Sequence, residues 1–241
     1  MRKFQIKEWL FPNQVFHQAI LNLMGNSEDP CVLKGEVYNE QEMLPLQFEA
    51  KESGTLWDVY LNKLILCYLF DEPDKAAQNA VLAKKYEESA LGTYSISIFC
   101  FYESLSLLSA SLKCSSDKHK IIMKKVNANQ KKLKKLADHA PMNFLHKFYL
   151  VEAEKARVLQ NNIKAIDYYD KAIELAAENK YLQEEALSNE LAAKFYIVNG
   201  KTRKAKIYMQ EALYCYKLWG ASAKVKQLLR RTLKEACKYI A

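Results

Sequence analysis

The chain has 241 residues, enough for one large domain or two small ones, and half of them are hydrophobic. Six glycines and five prolines fall between apolar-periodic segments rather than inside them, the distribution of an almost wholly helical protein, since these two residues disfavour helix interiors most. The formal net charge is +8, and the absence of an acidic or Ser/Pro-rich tract argues against a disordered chain.

In chain order, the pattern predicts a helix over Asn13–Met24, then a loop carrying Gly25, Asp29, Pro30 and Gly35. A shorter polar helix follows over Asn39–Lys51, interrupted near Pro45. The first clear hairpin begins with the apolar run Leu56–Phe70. Asp71-Glu72-Pro73 then starts a helix, with acids ahead of a proline at its preferred early position. Tyr94–Leu112 and Asp117–Ala137 form the second hairpin, joined by Cys114-Ser115-Ser116-Asp117, which has good N-cap chemistry. Pro141 closes it and can open the next helix. The third hairpin pairs Asn143–Gln160 with Ile163–Glu178, and the fourth pairs Leu182–Val198 with Arg203–Leu218. Asn199-Gly200 and Gly220 supply left-handed helix ends, and Ala221–Tyr239 is a last basic helix.

One device recurs along this series. Ala165, Tyr169 and Ala172 are followed forty residues later by Ala205, Met209 and Ala212, and the pair Ala153/Ala156 is followed at the same interval by Ala193/Tyr196. Ala76, Ala80 and Ala83 show the same spacing earlier. Small side chains let two helix backbones approach, and a large neighbour fills the adjoining gap. Such a device at a fixed period points to stacked repeats. The expected fold is therefore all-α, an α-solenoid of antiparallel hairpins. Residues 1–54 supply the N-terminal helices and loop, 55–220 four hairpins, and 221–241 a basic capping helix, all in one continuous domain.

The Ala-x3-aromatic-x2-Ala signature resembles the second helix of a tetratricopeptide repeat (TPR), with a period of about forty that exceeds the usual length and resembles the longer repeat of transcription-activator and signalling ATPase proteins. A closer resemblance covers nearly the whole chain. It rests on LNKLILCYLF (Leu61–Phe70), ADHAPMNFLHKFYLVEAE (Ala137–Glu154), AIDYYDKAIELAAEN (Ala165–Asn179), EEALSNELAAKFY (Glu184–Tyr196) and YCYKLWGASAKV (Tyr214–Val225). These runs resemble the helical-repeat region of very large cyanobacterial-type signalling proteins. Such proteins join a serine/threonine kinase, an AAA-like ATPase with this repeat region, a GAF sensor and a histidine kinase. The resemblance implies a right-handed superhelix and a protein or peptide partner, a kinase or ATPase domain among them. No kinase loop, nucleotide site or GAF domain accompanies it, so an orphan or excised repeat module is implied. If the first helix of each hairpin lines a concave groove, as that family implies, then Lys147, Glu154 and Arg157 in the third hairpin and Glu190 and Lys194 in the fourth face a peptide.

Little else carries chemistry. Gly200-Lys201-Thr202 looks like the end of a P-loop, but Phe195 stands where the motif needs its first glycine and a helix precedes it instead of a strand. His17, His119, His139 and His146 are scattered; His139 and His146 flank Pro141, yet no further ligands complete a metal set. Glu152/Glu154 and Glu184/Glu185 read as solvated faces, and the tyrosines Tyr168, Tyr169, Tyr181, Tyr196, Tyr208, Tyr214 and Tyr216 as helix seams. The expectation is a non-catalytic protein without a cofactor.

The six cysteines (Cys31, Cys67, Cys100, Cys114, Cys215, Cys237) show no C-x2-C pair and mostly occupy apolar helical faces, as in a reducing compartment. Lys7, Glu8 and Pro12 interrupt the apolar stretch a secretory leader needs, and the expected location is the cytoplasm. Tyr94–Leu112 is long enough to span a membrane, but Glu103 and several serines mark it as a core helix.

Charge is the better-focused signal. Nine lysines lie between Lys113 and Lys135 against one acid, Asp117, a surplus equal to the net +8 of the chain. Lys120, Lys124, Lys131 and Lys135 fall within roughly 60° on a helical wheel, opposite Ile122, Val126, Leu133 and Ala137. The ridge reads as a solvated outer face or as a site for an acidic protein surface, nucleic acid or anionic lipid, without the arginine forks or stacking aromatics that base readers use.

Overall fold

The structure, a computed structural model, describes residues 2–111 and 115–238, with side chains over 11–111 and 115–231. Leu112, Lys113, Cys114 and Tyr239 lie outside the described residues, as does the side chain of Cys237. The fold is all-α: eleven α-helices and one short 3-10 helix, with no β-strand among the described residues. The chain divides into two compact units, with the boundary after Ser106 inside a helix where the sequence has no linker.

The first unit contains α1 (Arg2–Met24), α2 (Glu40–Glu49), α3 (Ser53–Leu69), α4 (Pro73–Lys84), the 3-10 helix Glu87–Ala90, most of α5 (Ser95–Ser111), and Ser222–Lys224. α3 is its centre and packs against α1, α2, α4 and the 3-10 helix. It is apolar nearly all round, burying Leu56, Trp57, Val59, Leu61, Leu64 and Leu66, as a central helix must. α4 opens on Pro73 and presents Ala76, Ala80 and Ala83 as buried contacts.

Two proline expectations need correction. α1 runs from Arg2 through Pro12, and α2 runs through Pro45 without interruption. A proline removes one backbone donor, but fixed ends can hold a short helix across that gap. In α2, Asn39 Oδ1 accepts from Gln41 N at 3.1 Å, and Tyr38 Oη donates to Gln47 Oε1 at 2.8 Å.

Residues 25–39, which read as a plain loop, are fastened by buried amides. Asn22 Nδ2 donates to the carbonyls of Pro30 (3.1 Å) and Val32 (2.7 Å), and Gln18 Nε2 donates to Asn22 Oδ1 at 3.0 Å. Glu40 accepts from Leu33 N and pairs with Lys63 of α3.

The second unit holds the end of α5, then α6 (Ser116–His139), α7 (Pro141–Val158), α8 (Asn162–Glu178), α9 (Leu182–Val198), α10 (Thr202–Trp219), and α11 (Ser222–Lys238) from Val225 onward. From α6 to α10 each helix packs on the next, and α7 also touches α9. The repeated small residues Ala153, Ala156, Ala165, Ala172, Ala193, Ala205 and Ala212 are all buried, with Tyr169 and Tyr196 beside them. Gln130 of α6 reaches Phe148 O at 3.0 Å and Glu152 Oε1 at 2.9 Å on α7, which fixes the antiparallel register of that pair. Ser115 precedes α6 as expected, although its side chain makes no capping bond.

The helix ends are a second periodic device. Gln160, Lys180, Gly200 and Gly220, twenty residues apart, all have positive φ (58, 62, 72 and 86°). Each donates to the carbonyl three residues back, and the next residue donates to the carbonyl five back: Asn161 to Ala156, Tyr181 to Ala176, Lys201 to Tyr196, Ala221 to Tyr216. This is the Schellman closure of a helix. Lys51 and Asp71, also twenty apart, close α2 and α3 the same way.

No helix among the described residues is long and apolar enough to cross a membrane. α5 buries Glu103, Ser104 and Ser106 together with Phe99 and Phe101.

Candidate functional site

The five positions expected to line a groove do not form one. Lys147, Glu154 and Glu190 are buried, and only Arg157 and Lys194 keep part of their side chains in solvent. The reason lies in the neighbours each carboxylate recruits. Glu154 accepts from Nε and Nη2 of Arg157 (2.9 and 2.6 Å) and from the hydroxyl of Tyr169 on α8. Glu190 takes Lys194 (2.7 Å) and the hydroxyl of Tyr216 from α10 (2.8 Å). Each tyrosine thus inserts its ring into the interior while its hydroxyl satisfies a buried acid. α9 is buried on nearly every face, so its expected ligand-facing side is interior.

Lys147 is the centre of the most concentrated buried chemistry. Its Nζ lies 3.2 Å from Glu184 Oε1, 2.9 Å from His146 Nε2 and 3.3 Å from Asn143 O, and 4.4 Å above the ring of Tyr181. His146 stacks on the same ring, centroids 4.4 Å apart, and Tyr181 Oη donates to Asn143 Oδ1 at 2.8 Å. Burial pushes Lys147 below its usual value and Glu184 above its own, each partly held charged by the other. Burial first, and Lys147 second, push His146 down to about 3, so it is neutral. The reading of Glu184 as a solvated face is therefore corrected. Its spacing of i, i+1 to Glu185 gave no sign that only one of the two turns inward. The start of α7 meets the start of α9 here, which makes the cluster a polar clamp between non-consecutive helices.

The ridge is where the sequence puts it. Lys120, Lys124, Lys131 and Lys135 are exposed on α6, while Val126, Leu133 and Ala137 are buried on the opposite side. Its ion pairs are peripheral: Lys120 sits 3.8 Å from Asp117, and Lys134 pairs with Asp138 at the far end. Lys113 lies outside the described residues.

The remaining chemistry-bearing residues are dispersed. Gly200 is a left-handed helix end and Thr202 the first residue of α10. His139 ends α6 in solvent, while His146 is turned inward against Lys147. No group of three or more His, Cys, Asp or Glu suited to a metal ion occurs among the described residues. The side chains of Cys31 and Cys67 act on each other, which pushes the Cys31 thiol up and the Cys67 thiol down. Asn79 Nδ2 also approaches Cys67 Sγ at 3.6 Å.

Neither a known protein-family profile nor a solved structure matches the chain. A stretch of 54 residues, 22% of the chain, is 50% identical to part of a hybrid signal transduction histidine kinase G of Dictyostelium discoideum. The chain spans about 2% of the length of that relative.

Proposed function

We propose that the chain is a TPR-type α-solenoid module whose work is non-catalytic protein–protein interaction in signal transduction, as the repeat segment of a kinase- or ATPase-linked system. The observation that carries this reading is the double periodicity of the second unit. Identical left-handed helix ends recur every twenty residues, and buried alanine contacts recur every forty, on helices packed each against the next. The partial identity to a hybrid histidine kinase supports the signalling context. Its partner is a kinase or ATPase domain.

The test mixes the intact chain with separately purified kinase and ATPase domains encoded in the same genome, followed by light scattering and calorimetry. A stoichiometric complex, with no ATP turnover by the chain alone, is the expected result. ATP hydrolysis or phosphotransfer by the chain alone, or failure to bind any such domain, overturns the proposal.

The exposed ridge on α6 favours one further reading, a nucleic-acid- or acidic-surface-binding regulator. A salt titration against random duplex and single strands decides it: the ridge reading expects binding at low salt that weakens steeply as salt rises.

A further inference from the structure

The turns of the second unit differ in chemistry. At one end lie the α7–α8 and α9–α10 turns, held side by side by Asn162 Nδ2 donating to Asn199 Oδ1 at 3.0 Å. Aliphatic side chains project from both turns into solvent: Leu159 is 55% exposed, Ile163 83% and Val198 85%. The antiparallel register of α6 on α7 brings the first turns of α6 toward the same end, and there Ile121 is 68% exposed. Basic residues surround these tips. Residues 155–166 and 197–206 contain no carboxylate, and Lys164, Lys201 and Arg203 are exposed with no ion pair among the described residues. The α8–α9 turn, by contrast, carries Glu174, Glu178, Glu184 and Glu185 against Lys180, while the last turns of α6 at that end carry Lys131, Lys132, Lys134 and Lys135 against Asp138.

We infer that the end formed by the α7–α8 and α9–α10 turns docks on an anionic lipid surface, with Ile163 and Val198 entering the headgroup boundary and Lys164, Lys201 and Arg203 meeting lipid phosphates. Isolated aliphatic side chains are ordinary on a protein surface, but tips at this exposure, clustered on two adjoining turns that are basic and carry no carboxylate along their own length, with Asp117 of α6 the acid beside Ile121, match the two requirements of peripheral membrane binding. The tips project from turns instead of lining a groove, so they suit a soft interface better than a folded partner. They also carry no aromatic ring on which a base could stack, which disfavours nucleic acid. The membrane-facing edge is separate from the partner binding proposed above and stands or falls on its own.

The experiment is sedimentation of the intact chain with vesicles of phosphatidylcholine alone and of phosphatidylcholine with 30 mol% (about one lipid in three) phosphatidylserine, which has the charge of an anionic leaflet. Binding is expected only to the anionic vesicles, weakening as salt rises. Ile163→Asp/Val198→Asp should reduce partitioning at least tenfold, roughly, with unchanged circular dichroism because both side chains are in solvent. Lys164→Glu/Lys201→Glu should do the same, whereas Lys131→Gln/Lys135→Gln, at the far end of α6, should bind as the parent does. The inference is overturned by equal binding to neutral vesicles, by no vesicle binding, or by anionic binding that the Ile163/Val198 variant retains. Binding to poly-glutamate or duplex DNA that this variant abolishes, with vesicles ignored, overturns it as well by assigning the edge to a macromolecular anion.

Discussion

A lysine with no exposed surface is stable only if the groups around it replace water, and Lys147 shows what that takes. A carboxylate, an imidazole nitrogen, a carbonyl and a tyrosine face all converge on its Nζ. Lys147→Met should strand Glu184 in the interior and cost about 3–5 kcal/mol, while Lys147→Met/Glu184→Leu should recover most of that loss. Urea denaturation of the two variants checks this; equal destabilisation by both would show that the pair is not the source of the effect. His146 gives the cluster a pH signature. Its folded value lies near 3 against an ordinary 6.5, so between those limits the unfolded chain takes up a proton that the folded chain refuses. Stability should therefore fall as pH drops from 6.5 toward 3, by at most about 1.4 kcal/mol per pH unit. Glu184, raised by burial, contributes with the opposite sign above its ordinary value, and Lys147, lowered by burial, contributes below its own. Comparison of His146→Gln with the parent at matched pH isolates the histidine: the variant should show the flatter dependence.

At the scale of the element, the helix ends separate two ways of meeting one geometric demand. Gly200 and Gly220 reach the left-handed region at no steric cost, and a Cβ at either would meet open space. Gln160 and Lys180 occupy the same region with a Cβ, which is unfavourable for an L-residue. Gln160→Gly and Lys180→Gly should each raise stability by about 0.5–1 kcal/mol, and Gly200→Ala should lower it by a similar amount, as read by thermal melts. The lysine ridge makes the contrary prediction. Its side chains are exposed and their ion pairs peripheral, so Lys120→Gln, Lys124→Gln, Lys131→Gln and Lys135→Gln together should move unfolding by less than roughly 0.5 kcal/mol per site. A large loss of stability would place that face in a packed interior.

From α6 to α10, packing in the second unit is serial, so a defect should spread to neighbours in space. Tyr169 on α8 is buried, its hydroxyl donates to Glu154 on α7, and its ring lies 5.6 Å from Phe195 on α9. Tyr169→Ala should cost about 3–5 kcal/mol, because it opens a cavity and removes a hydrogen bond from a buried acid. Hydrogen exchange should quicken first in α7, α8 and α9, the three helices that meet at that ring. Uniform acceleration in the first unit at the same denaturant concentration would argue against nearest-neighbour coupling.

How much of this was legible in the sequence depends on whether a feature is local. Helix class, the helix limits from α5 to α10, the alanine contacts and the lysine face all follow from side-chain period and from glycine and proline placement. The matching left-handed ends at Gln160 and Lys180 were not legible, since neither residue type advertises that conformation. Nor were the inward turns of Lys147, Glu154, Glu184 and Glu190, because a charged residue is identical in sequence whether it meets water or a partner thirty residues away. By itself the sequence determined that the chain is helical and repetitive, since backbone propensity and apolar period act within a few turns. Only the tertiary structure decided which charges are interior and which aliphatic side chains are left outside, because burial depends on the neighbour that arrives from elsewhere in the chain.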